Sequence, residues 1–160
     1  MLFLSFAVVT QASLRLMPSA EAVRTLLASF ASVDDASRAT SEIIAAGIIP
    51  AALEMMDALT ISALLRAGHK GLPSDAAAVL LVELEGLREG VDEQVPYVES
   101  ILTASGASEI RTARDVTERD QLWKARKGAL GALGQIKPNY YLQDGVIPRT
   151  RLLEIGRAHV

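Results

Sequence analysis

Residues 76–85, AAAVLLVELE, form a nearly continuous apolar run closed by Gly86. A run of that length with no polar alternation is expected of a strand that lies centrally in its sheet, with other elements packing on it. Upstream, residues 23–30, VRTLLASF, read as a second strand. Ser32 stands three residues before Asp35 in a loose capping-box arrangement, so a helix should follow. In it Val33, Ala36, Ala39, Ile43 and Ile44 share one face at helical spacing, and Gly47 supplies a left-handed stop. After Pro50, residues 52–56 read as a short strand, and Asp57 with Thr60 starts a brief helix that ends near Gly68. Met55 and Met56, beside leucines, read as core filler.

Downstream, Val91, Val95, Val98 and Leu102 trace a helical stripe ending at Gly106. Pro96 then belongs in the first turn or kinks the helix. Residues 108–113 make a further short strand, and Thr117 with Asp120 offers a cap for the last helix. That helix should carry Asp115/Arg119 and Asp120/Lys124 as four-apart charge pairs on its wet side. The order is strand, helix, strand, short helix, strand, helix, strand, helix. It predicts an α+β fold with a ferredoxin-like layer, an antiparallel sheet with helices on one face and an extra helix between its halves. Residues 8–16, VVTQASLRL, alternate polar and apolar side chains before Met17-Pro18 and read as the last strand of a different structural unit.

Composition narrows the function. The chain has 160 residues, 50% apolar and 22% charged, as expected of a folded globular protein. A net charge of -3, with no basic cluster interleaved with aromatics, argues against nucleic acid. With no cysteine and only His69 and His159, disulfides and thiolate metal sites are excluded and imidazole ligands are few. The lack of cysteine fits a reducing cytoplasm. His69, flanked by Gly68, Lys70 and Gly71, is expected in a solvated loop rather than at a metal. Residues 1–9, MLFLSFAVV, fall well short of the roughly 20 residues a spanning helix needs. Ala12 and Ser13 are small enough for a signal-peptide cleavage site, but the positively charged n-region is missing and a buried strand is expected instead.

One position on the last helix needs a chemical explanation. Leu122, Arg126, Ala129, Leu130 and Leu133 share a face, so Arg126 interrupts an apolar stripe. It is either a fork that grips a carboxylate through two parallel hydrogen bonds, or a side chain that snorkels to water or pairs with an internal acid. Trp123 is read as a core anchor. Past Gly134, Tyr141, Gln143 and Gly145 alternate with Tyr140, Leu142 and Asp144, so one set can face a cavity while the other packs. Asp144 beside Gly145 is equally consistent with turn chemistry, and Arg149 with a surface cation.

LWKARKGALGALGQIKPNYYLQDGVIPRTRL from Leu122, with IIAAGIIPAALEMMD from Ile43 and VLLVELEG from Val79, resembles the C-terminal cap domain of FAD-linked oxidases of the glycolate oxidase D-subunit and D-lactate dehydrogenase type. VVTQASLRL resembles the end of their flavin-binding domain, and the likeness runs from about Ala7 to Leu153. The resemblance implies the end of a PCMH-type FAD-binding domain in residues 1–18, part of the substrate cap in residues 19–153, and oxidation of glycolate or D-lactate to the 2-oxo acid with hydride passing to FAD. It places the carboxylate-holding arginine of an L-W-x-x-R motif at Arg126, puts Tyr141, Asp144 and Arg149 near the substrate, and brings the backbones of Val8 and Val9 near the isoalloxazine ring. It also implies partner oxidase subunits or an electron acceptor, and a cytoplasmic protein held peripherally to the membrane through such subunits.

The departures are equally informative. Leu4, Ser5 and Phe6 replace the glycines usual before V-V-T. The family's pyrophosphate loops are expected to precede this region, and its H-A-G-D-G-N-x-H-P motif, whose histidines hold a divalent metal, to follow it. The final EIGRAHV departs from the family and reads as non-native, so His159 is not assigned as a ligand. This chain alone is therefore expected neither to retain FAD nor to turn over substrate. The alternative is a free-standing ferredoxin-like module that binds a ligand or dimerises.

Overall fold

A computed structural model of the chain describes residues 8, 10–16, 18–139, 141–142 and 145–146. Its sheet is built from β1 (Ala22–Phe30), β2 (Ala52–Asp57), β3 (Ala78–Gly86) and β4 (Ala107–Thr112), in the order β2-β3-β1-β4. Every neighbouring pair is antiparallel. The helices are α1 (Val33–Ala45), α2 (Ala58–Arg66), α3 (Arg88–Ala104) and α4 (Val116–Ile136). This is the expected ferredoxin-like order, with α2 and α4 added to it.

The apolar run in β3 has its reason here. Leu80, Val82 and Leu84 point into one core, together with Leu26, Ala28 and Phe30 of β1 and with α1 and α3. Val79 and Leu81 point the opposite way, into a second core with Leu27, Met56 and residues of α2 and α4. A strand coated on both faces has no wet side and shows no alternation. The expectation of helices on one face therefore holds for α1 and α3, while α2 and α4 cover the other.

Local signals place the helix ends. Ser32 Oγ accepts from the Asp35 amide and Asp57 Oδ1 from the Thr60 amide, each relieving an orphan donor. At the far end of α1, Gly47 (φ +80°) donates to the Ile44 carbonyl and Ile48 to that of Ile43. This is a Schellman stop in which buried Ile48 joins Ile43 in the first core. Gly68 and His69 repeat it on the carbonyls of Leu65 and Leu64.

Three local readings are corrected and one is narrowed. The described part of residues 8–16 is exposed and is not a strand, because its backbone pairs with neither edge of the sheet, β2 or β4. α3 begins at Arg88, so of the two places open to Pro96 the first turn is excluded and the residue lies in the helix interior; Leu87 makes no side-chain cap that could have marked the start. α4 is capped by Asp115, whose carboxylate accepts from the Glu118 amide, and Arg119 turns inward to Glu83 instead of pairing with Asp115. The strand-like alternation expected after Gly134 is not seen among the described residues, where Tyr141, Leu142 and Val146 are all exposed.

Candidate functional site

α4 lies on the second core through small side chains. Leu122, Ala125 and Ala132 are buried and Ala129 packs beside them, which lets α4 close against α2. Arg126 sits on the flank of this seam rather than within it, and Leu130 is exposed. At Gly128 the approach is tight. A Cβ there would stand 2.7 Å from His69 Nε2 and 2.9 Å from its Cε1. The Schellman stop of α2 directs His69 toward α4, so it is half-buried rather than a solvated loop residue.

Three ion pairs fasten α4 to the sheet. Glu118 lies 3.4 Å from Arg111 Nε on β4, Arg119 Nη2 is 2.8 Å from Glu83 Oε1 on β3, and Arg126 Nη2 is 2.8 Å from Glu54 Oε2 on β2. Glu83 is buried, and its Oε2 also accepts from Thr25 Oγ1 at 2.7 Å, Arg119 Nε at 2.8 Å and Trp123 Nε1 at 2.6 Å. Burial pushes this carboxyl up, but the donors from Arg119, Thr25 and Trp123 outweigh it and hold the group below the usual glutamate range. Trp123 therefore anchors in two ways, since its ring packs on the second core while its N–H satisfies a buried acid.

Arg126 differs from Arg119 in how it is held. Arg119 grips both oxygens of Glu83, whereas Arg126 presents its Nε and Nη2 to one oxygen, Glu54 Oε2, at 2.9 and 2.8 Å. Among the described residues Arg126 Nη1 has no hydrogen-bond partner, so the outer Nη1/Nη2 edge is open. With side chains about a third exposed (36% for Arg126, 35% for Glu54), the pair sits at the rim of the α4–β2 junction within reach of solvent. An edge of that kind is shaped for a planar anion such as a carboxylate.

The remaining assigned residues are described only in part. Tyr141 is 87% exposed, Val8 is 88% exposed, and Val9, Asp144 and Arg149 lie outside the described residues. Among the described residues no group of three or more His, Asp or Glu is placed to hold a metal ion. No helix among them is long and apolar enough to cross a membrane. A cleft of about 620 Å³ at the start of β1 is lined by Arg24, Arg88, Arg114 and Arg119, but Asp92, Glu118 and Glu83 already pair with three of these. It carries little uncompensated charge.

Two acids central to this geometry are not singled out by sequence reasoning. Glu83 interrupts the apolar run of β3, and Glu54 alternates with Leu53 and Met55 on β2. An ionisable residue inside a strand coated on both faces needs a partner, and that is the signal by which Glu83 could have been found.

Residues 19–159 match the family described as FAD linked oxidases, C-terminal domain. The chain belongs to that family. Its curated relatives include glycolate oxidase subunit GlcD of Escherichia coli K12, 47% identical over 91% of this chain and 29% of that protein. The GlcD subunit of Bacillus subtilis is 37% identical over 96% of this chain and 33% of its own. The probable mitochondrial D-lactate dehydrogenase of Danio rerio is 32% identical over 94% and 30%. The chain thus spans about a third of the length of these relatives. Among solved structures, alkyldihydroxyacetonephosphate synthase matches 89% of the chain and 30% of its own with a TM-score of 0.63 at 15% identity, a likeness of fold alone. The α4–β2 junction therefore lies within an FAD-linked oxidase C-terminal domain.

Proposed function

We propose that this chain is part of a flavin-dependent oxidoreductase that converts a D-2-hydroxy acid, glycolate or D-lactate, to the 2-oxo acid, and that Arg126 holds the substrate carboxylate. The observation that carries this reading is the open outer edge of Arg126, held at the α4–β2 rim by Glu54. The names of the relatives, glycolate oxidase subunits and D-lactate dehydrogenases, supply the substrate class. FAD would supply the two-electron acceptor for the hydride that leaves the substrate α-carbon. This chain's part is to fix the carboxylate so that the α-carbon is presented at one distance and angle. Tyr141, Asp144 and Arg149 are assigned to the same substrate wall, Val8 and Val9 to the flavin side, and general-base and divalent-metal ligands to sequence outside this chain.

Two of the relatives are named as subunits, which supports partner subunits; a separate electron acceptor is the other proposed partner, and the protein is proposed to be cytoplasmic and held at the membrane periphery through its partner subunits. The chain by itself is proposed neither to retain FAD nor to turn over substrate. A purified sample whose yellow colour survives dialysis would contradict that.

The test of the clamp is Arg126→Ala in the full-length protein. Losing a charge-assisted bidentate contact should raise KM for the hydroxy acid by roughly a hundredfold, with flavin content unchanged. An unaltered KM would remove Arg126 from the substrate site.

A further inference from the structure

Glu54 has no assigned role, and its contact with Arg126 is unusual in one respect. Both guanidinium contacts, from Nε and from Nη2, converge on the single oxygen Oε2 at 2.9 and 2.8 Å. An arginine has five N–H donors. The contact with Glu54 occupies the inner Nε/Nη2 side of the guanidinium. It leaves Nη1 and the second hydrogen of Nη2 unengaged by Glu54, and these two nitrogens match the oxygen spacing of a free carboxylate.

We infer that Glu54 is a positioning residue for Arg126, holding the guanidinium by its inner side so that the outer edge faces an incoming carboxylate already oriented. The inference rests on the proposed role of Arg126. Physically, Arg126 stands on the flank of α4 with a long stem and about a third of its side chain in solvent. Unrestrained, it would sample many rotamers, and each binding event would have to freeze them. Glu54 can impose the restraint because it is anchored in β2, which is bonded along its length to β3. The opposing effect is electrostatic. A second carboxylate beyond the guanidinium is repelled by the Glu54 charge, and if that repulsion dominated, Glu54 would weaken substrate binding.

Substitutions that separate reach from charge decide between these. Because one oxygen accepts both contacts, Glu54→Gln keeps the acceptor and removes the charge. Glu54→Asp keeps the charge but withdraws the acceptor by a methylene, and Glu54→Ala removes both. In the full-length flavoprotein, with KM and kcat measured for D-lactate or glycolate, Glu54→Ala and Glu54→Asp should each raise KM about five- to tenfold, the cost of one unfrozen long side chain. Over the same series kcat should change less than KM, and Glu54→Gln should stay within about twofold of the parent. In an Arg126→Ala background, Glu54→Ala should have no further effect on KM. Flavin absorbance checks that each variant is assembled, and the Asp and Gln variants serve if the Ala variant does not fold. A KM that falls in both Glu54→Gln and Glu54→Ala would overturn the inference, as would an unchanged KM in Glu54→Asp. An Arg126→Ala variant with normal KM would instead overturn the carboxylate reading itself, so the two failures are distinguishable.

Discussion

Thr25 stands directly opposite Glu83 across the β1–β3 ladder, and its hydroxyl donates to Glu83 Oε2 at 2.7 Å inside the interface that α4 covers. The pair places an ionised group in the otherwise apolar buried run of β3, and Arg119 and Trp123 complete its shell. Removing the carboxylate strands all of these donors. Glu83→Ala should therefore destabilise the domain by about 3 kcal/mol, the low end for breaking a buried pair, since Arg119 retains some solvent contact. Thr25→Val, which deletes one donor and leaves the ion pair, should cost about 1 kcal/mol. Urea denaturation of the variants checks both. Equal losses would mean that the ion pair contributes nothing beyond the hydroxyl.

The same group predicts how stability depends on acidity. Glu83 is held below its ordinary value of 4.5. At pH values between its folded and unfolded pKa, the unfolded chain binds the proton and the folded one does not, so stability rises with pH across that window. The contribution is complete above about pH 4.5 and is lost as pH falls through the lower, folded value. Asp35, lowered chiefly by its Ser32 hydrogen bond, and Glu118, lowered chiefly by the Arg114 backbone, act in the same direction at the surface. Unfolding free energy should be flat from pH 7 to 5 and then decline. Glu83→Gln should start lower and decline less, so that the two curves converge on the acid side. Parallel curves would show that Glu83 is not the responsible group.

Gly128 and His69 should be energetically coupled. An alanine in the middle of a helix is ordinarily about 1 kcal/mol better than glycine. At Gly128, however, the new methyl would overlap the imidazole edge of His69, at 2.7 Å from Nε2. Gly128→Ala should therefore be neutral or destabilising alone and stabilising by about 1 kcal/mol in a His69→Ala background. Additive effects in a double-mutant cycle would show that the imidazole moves aside without cost.

Much of the fold could be read from the chain because each element carries its own signal. Ser32 and Asp57 cap, Gly47 stops, and β3 announces its two-sided burial by lacking polar alternation. The misreadings share a cause, which is that the deciding partner lies far away in sequence. Arg119 has a plausible neighbour in Asp115 but pairs with Glu83 on β3, and the described part of residues 8–16 alternates as a strand does without pairing with either sheet edge. At the site, spacing marks Arg126 as unusual but does not name Glu54, because the contact joins α4 to an edge strand across most of the chain. Spacing alone leaves an arginine in a stripe to choose between an internal acid and an external anion. One guanidinium has two usable sides, and the geometry of Arg126 leaves room for both.

The three attachments of α4 have a mechanical consequence. Because Glu118, Arg119 and Arg126 hold β4, β3 and β2 respectively, and Glu83 ties in Thr25 of β1, no strand can slide against its neighbours without straining the same helix. A load applied at Lys137, where α4 ends, would meet the Arg126–Glu54 tie to β2 first and then the ties of Arg119 and Glu118 to β3 and β4. Among the described residues α4 is thus the one helix tied by side chains to three of the four strands, a brace laid across the sheet.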